Sequence, residues 1–167
     1  MDFPKQLIAE FEQELKNTRK MLEAIPANAD LAFKPHPKSM ALGRLAGHVI
    51  ETAGEWASHI LVQSEMKFAA DHKWDAYIPQ SKAAALDRFD KGSAKAMADL
   101  KAFPLADWDA NWKFIFGEQT FIDDAKYNVW RTWVVNHLVH HRAQLGVYLR
   151  LLGAPIPGVY GPSADEQ

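Results

Sequence analysis

The chain has no cysteine. That excludes a disulfide framework, a cysteine-ligated zinc site and a cysteine nucleophile. Any metal must be held by histidine and carboxylate, and any thiol chemistry must use a thiol from outside. There is little excess charge of either sign: the net charge is −2 and the pI about 6.4. Such a balance points to neither nucleic acid nor an anionic membrane as the main partner. No apolar run is long enough to span a bilayer, and the opening MDFPKQLIAEFEQEL is amphipathic and acidic, unlike a signal peptide. A cytoplasmic protein is expected. No internal repeat, low-complexity tract or linker divides the 167 residues, so a single domain over 1–167 with a substantial core is expected.

What is present is helical periodicity. Phe3, Leu7, Phe11, Leu15, Thr18, Leu22 and Ile25 recur at threes and fours, and Pro26 ends that helix. The stretch PANADLAFKPHPKSM at 26–40 is a proline-rich connection in which His36 is solvated. Ser39 is the expected N-cap of a second helix running to about Phe68, with Leu42, Leu45, Ala46, Val49, Ala53, Trp56 and Ile60 as its core stripe. Residues 69–80 connect to a third helix over Ser81–Lys101, and His72 carries no functional weight in that connection. Gly92 weakens the third helix locally. From Phe103 to Phe121 the aromatics crowd together and alternate with period two before Gly117, which suits a short extended segment or a lid-like loop that seals one end of the molecule. The last helix starts between Ile122 and Lys126, with Asp123 or Asp124 as cap, and stops at Gly153 before two prolines. The tail is expected to be loosely ordered beyond Tyr160. The fold class is therefore all-α, a four-helix bundle with long connections.

Within the last helix, Trp130, Val134, His137, His141, Leu145, Tyr148 and Leu152 share one face at about 100° per residue. Two histidines thus interrupt an apolar stripe, one turn apart. An imidazole buried without partners costs free energy, so the pair reads either as polar rim residues or as ligands of a shared ion. Leu138 follows His137, so the zinc-protease motif H-E-x-x-H is absent. Periodicity does not nominate His48. It falls about 120° from the centre of its own stripe, on a flank with Thr52, Glu55 and His59, and reads as a surface residue. Paired E-x-x-H motifs of a di-iron bundle are missing, and no heme or nucleotide motif occurs.

Two stretches carry a resemblance to a known family. NHLVHHRAQLGVYLRLLGAPIPGVYG at 136–161 and KPHPKSMALGRLAGHV at 34–49 are similar to the closing motif and the first histidine segment of the DinB family, also called DinB/YfiT-like metalloenzymes. Ala143 departs from the family's frequent Gly without touching a ligand position. The resemblance implies a metal triad at His48, His137 and His141, a divalent ion, commonly zinc or nickel, and a right-handed bundle of up-down-down-up order that is often a dimer. It also implies relatives that act as S-transferases or isomerases with a low-molecular-weight thiol, or as metal-dependent hydrolases.

Three neutral imidazoles leave a divalent ion its full charge and an open position, the pattern of a catalytic site. That position could activate water, with Glu55 as the first candidate general base and Glu51 the second, both otherwise ordinary surface glutamates. It could instead activate an exogenous thiol, the reading ranked first because it needs no base and suits a cysteine-free chain. His140 and Gln144 are expected beside the ligands, and Arg142 is expected to point away and meet a carboxylate or backbone. The expected partner is a small-molecule substrate. The competing class is a dimeric helical module without catalysis, in which the histidines are rim residues.

Overall fold

A computed structural model describes residues 3–167. Four long helical stretches carry most of the chain. The first is α1 (Phe3–Glu23). The second joins α2 (Leu42–Glu51), a wide π-helical turn at Thr52–Trp56, and α3 (Ala57–Val62). The third is α4 (Lys82–Ala102). The fourth joins α5 (Lys126–Val129), a π-helical segment at Trp130–Asn136, and α6 (His137–Leu151). Apolar stripes of these stretches meet in one core: α1 packs on α4 and α6, and α2 packs on α4 and α6. Phe11, Leu22, Leu45, Ile60, Trp130 and Leu145 are fully buried there, and the Phe11 and Trp130 rings meet edge to face with centroids 4.9 Å apart.

The expectation of an all-α chain needs correction. A three-stranded mixed sheet of order β1-β2-β3 is built from β1 (Glu65–Phe68), β2 (Asn111–Phe116) and β3 (Gln119–Ala125). The period-two alternation before Gly117 belongs to a hairpin, and Gly117 turns it with φ +60°. β1 runs parallel to β2, Glu65 opposite Lys113 and Phe68 opposite Phe116. The second helix therefore stops at Val62, where Gln63 turns extended, and does not reach Phe68.

Two expected caps also differ. Ser39 does not cap α2. The residue before the helix is Ala41, and the first amides are satisfied by the preceding loop, Leu42 N–H donating to Phe33 O and Gly43 N–H to Leu31 O, both at 2.9 Å. Asp123 and Asp124 lie inside β3, and Ala125 precedes α5. Asp123 instead pairs across the hairpin with Lys113, while Asp124 accepts from Ala125 N–H and Asn128 Nδ2. Ser81 does cap α4, accepting from Ala84 N–H at 3.1 Å. The tail is not loose beyond Tyr160. Asp165 takes both Arg150 Nη1 and Nη2, at 3.0 and 2.6 Å, as well as Ile156 N–H, and Glu166 accepts from Gly158 N–H and Ser163 N–H. The Arg150 guanidinium, then the Ile156 amide, hold the Asp165 carboxyl down at about 2.

Glycine matters most where backbones touch. Gly92 does not break α4; with Gly54 it lets α4 approach the π turn, since a β-carbon on Gly92 would lie 3.2 Å from Gly54 Cα and one on Gly54 would lie 2.8 Å from Gly92 Cα. At Gly47 a β-carbon would lie 1.9 Å from the Tyr77 carbonyl oxygen. Neither backbone can yield locally, so Gly47→Ala is expected to cost about 2–3 kcal/mol through overpacking. Urea unfolding would measure this, and a loss under ~0.5 kcal/mol would contradict the close approach.

Candidate metal centre

The centre is assembled from two helices. His48 sits in the last turn of α2, His137 opens α6, and His141 lies one turn further on. One ring nitrogen from each lies within 4.8 Å of the other two, a set able to hold a metal ion. Ring centroids are 4.4 Å apart for His48 and His141, 4.6 Å for His137 and His141, and 4.9 Å for His48 and His137. His48 Nε2 and His137 Nε2 share a hydrogen bond at 2.8 Å. His48 belongs to this group although it lies off its core stripe, because α2 packs along α6 and the flank of His48 meets the histidine pair. Of the other residues on that flank, Thr52 is buried and its hydroxyl donates to His48 O at 2.7 Å.

Both π-helical segments border the centre, one directly after α2 and one ending at Asn136, the residue before His137. Such wide turns change the phase of a helix and recur at functional sites. Trp56 and Trp133 flank His137, with centroids 6.4 and 6.0 Å from its ring.

Burial keeps the three imidazoles neutral. It pushes His48 down to about 3, helped by the charge that His141, His137 and Arg44 would add. It pushes His137 down to about 4, helped by His141 and His140, and it lowers His141 despite the hydrogen bond from that ring to Gln144. Neutral imidazole is the form that binds metal, so the donor set fits a divalent cation.

The neighbours expected around the pair fall close to it. Gln144 Oε1 lies 2.8 Å from His141 Nδ1, and its amide nitrogen lies 3.0 Å from Nε2 of the exposed His140. Donation from His141 Nδ1–H to Gln144 leaves the lone pair on Nε2. Arg142 points away from the pair and meets Glu14 at 2.6 Å.

A cavity of about 540 Å³ opens beside His48. Its apolar wall includes Trp56, Met66, Phe68, Trp74 and Phe114, so the sheet and the 69–80 connection serve the site. His72 is part of that wall, its ring 4.3 Å from Phe68, contrary to its dismissal from the sequence. Of the aromatics at 108–121, Phe114 faces the cavity, whereas Trp108 and Trp112 are buried in the core. Glu51 and Glu55 also reach the cavity, but both are engaged. Glu55 is bound by Arg88, and Glu51 accepts from Arg44 at 2.9 Å and from Tyr77 N–H at 2.8 Å. Arg44 escaped the sequence reading, although its place one turn before His48 was a usable signal.

The family model described as the DinB family matches residues 1–167. The YrdA protein of Bacillus subtilis (strain 168) is 25% identical over 156 residues, covering 93% of this chain and 87% of that protein. The crystal structure of a DinB-like protein from Bacillus cereus ATCC 10987 superposes with a TM-score of 0.66 at 22% identity, covering 89% of this chain and 92% of that one.

Proposed function

The chain belongs to the DinB family, and from that premise we propose that it is a metal-dependent transferase acting on a small molecule with an exogenous low-molecular-weight thiol. The observation that carries the reading is the convergence of His48, His137 and His141 beside an apolar cavity. A divalent ion held there, zinc or nickel, supplies a Lewis acid that makes a thiol nucleophilic at neutral pH. The chain's own residues do the rest. The three imidazoles are the ligands, Gln144 fixes the tautomer of His141, and His140 steadies Gln144 in turn. The aromatic wall holds the electrophile and keeps water off it. In the net reaction the thiol sulfur bonds to the electrophilic carbon, and the leaving group departs with its bonding pair and takes up the thiol proton.

Hydrolysis is the second reading, because carboxylates line the cavity. Glu55 is the base that a hydrolase would draw on, at the cost of its ion pair with Arg88. The thiol route needs no such sacrifice, which is why we rank it first. In the same proposal the four helical stretches form a bundle of up-down-down-up order. The protein is a cytoplasmic homodimer, a reading supported by outward Leu151 on α6. No helix among the described residues is long and apolar enough to cross a membrane.

The test is turnover by zinc- or nickel-loaded protein with a panel of thiols and electrophiles. Product is expected only when thiol and electrophile are both present, and is expected to be lost in His137→Ala. Ester cleavage at an undiminished rate with no thiol would replace this reading with the hydrolytic one.

A further inference from the structure

We infer that the centre is approached through two clefts of opposite character, and that the thiol is an anionic one admitted beside Lys38; this rests on the thiol-transfer reading above. A second cleft, of about 460 Å³, reaches the centre at His141. It shares no lining residue with the aromatic cavity at His48. Its walls are Lys38, Ser39, Gln144 and Tyr148, with Met40 and Val147.

The charges sort the two clefts. No acidic side chain lines the second one, and the Lys38 ammonium has no ion-pair or hydrogen-bond partner among the described residues. In the aromatic cavity Arg44 is matched by Glu51 and Glu55 by Arg88, and Asp75 adds a further negative charge. An anion is repelled from the cavity at His48 and drawn to the cleft at His141, while a neutral apolar electrophile has the reverse preference. Lys38 is also held in place. Tyr148, two turns beyond His141 on α6, donates to Met40 O at 2.9 Å and ties the Lys38 segment to the helix that carries the histidine pair. A carboxylate-bearing thiol can therefore set its acid on Lys38 while its sulfur reaches the imidazole side of the cleft.

The test is calorimetric titration of zinc-loaded, full-length protein with mercaptosuccinate and with 2-mercaptoethanol. Mercaptosuccinate is expected to bind more tightly, with an affinity that falls as salt is added. Lys38→Glu, at an exposed position that folding tolerates, is expected to weaken mercaptosuccinate by about tenfold and leave 2-mercaptoethanol within about twofold. If the two thiols bind alike and Lys38→Glu moves neither, the anionic cleft is overturned while the thiol reading stands. If neither thiol binds the loaded protein, the thiol reading itself fails and this inference falls with it.

Discussion

Protein purified without a tag is expected to carry about one divalent ion per chain, and His48→Ala, His137→Ala and His141→Ala are each expected to lose it. The site offers three neutral nitrogens and no carboxylate. Removing one leaves two, too few for a stable site. The substitutions should spare the fold, because the imidazoles sit at the edge of the core: His48 and His137 are half-buried, the buried His141 borders the cleft at Lys38, and the apolar packing of Leu45, Val49, Leu138 and Leu145 is untouched. Gln144→Ala should behave differently. It keeps all three ligands but frees the His141 ring, so the ion is retained with an affinity lower by about 10–100-fold. Elemental mass spectrometry gives the stoichiometry, competition with a chromogenic chelator gives the affinity, and circular dichroism checks the fold. A full metal complement in the histidine variants would place the ion elsewhere and overturn the assignment.

The second large effect concerns stability. Glu14→Ala is expected to cost about 3–5 kcal/mol, lowering the melting temperature by roughly 10 °C or more. Glu14 and Arg142 form a buried pair, their side chains only 10% and 3% exposed. Arg142 also donates to Glu14 O at 3.1 Å and to Thr18 Oγ1 at 3.2 Å, and Tyr160 Oη lies 2.5 Å from its other terminal nitrogen. The tyrosine hydroxyl in turn donates to the Glu14 carboxylate at 2.8 Å. Truncating Glu14 strands a guanidinium away from water with only neutral partners, the most costly way to damage such a pair. Replacing both members, as Glu14→Leu with Arg142→Met, should restore most of the loss, since apolar groups of similar size need no partner. Tyr160→Phe removes a hydroxyl that accepts from Arg142 and donates to Glu14, and should cost about 1–3 kcal/mol. Denaturant unfolding of the three variants separates these outcomes. A double variant no better than Glu14→Ala alone would mean that packing, not stranded charge, sets the cost.

The helices were legible because their information is local. Periodicity with Pro26, Ser81 and Gly153 as punctuation placed three of the four stretches to within a few residues, and Gly153 takes the left-handed conformation, φ +72°, that its position demands. The sheet was legible only in part. The alternation in 111–116 showed, but β1 exists because Glu65–Phe68 lies beside a strand far along the chain, and its own four residues carry no such signal. The same limit hid the start of α2, whose first amides bond to loop carbonyls at Phe33 and Leu31 in place of a nearby side chain. At the candidate centre, His137 and His141 stood out as imidazoles in an apolar stripe. His48 did not, since a helical wheel knows nothing of the helix that packs on its flank; only the resemblance of 34–49 to a known pattern nominated it. Phe68, His72 and Trp74 of the cavity wall were missed because their segments carry no periodicity to read, whereas Phe114 belongs to the aromatic run that was visible.

The wide turn at Trp130–Asn136 has one more consequence, and it concerns chain length. A π turn holds a residue more than an α turn does. If that turn closed into regular α form with every residue kept, everything beyond it would rotate by about 100° relative to α5. His137 and His141 would keep their spacing, their helix and their identity, and would no longer face His48. The aim of the site is thus encoded in a count of residues. A chain whose segment forms regular α turns needs one residue fewer there to keep the same aim, even where every histidine is present.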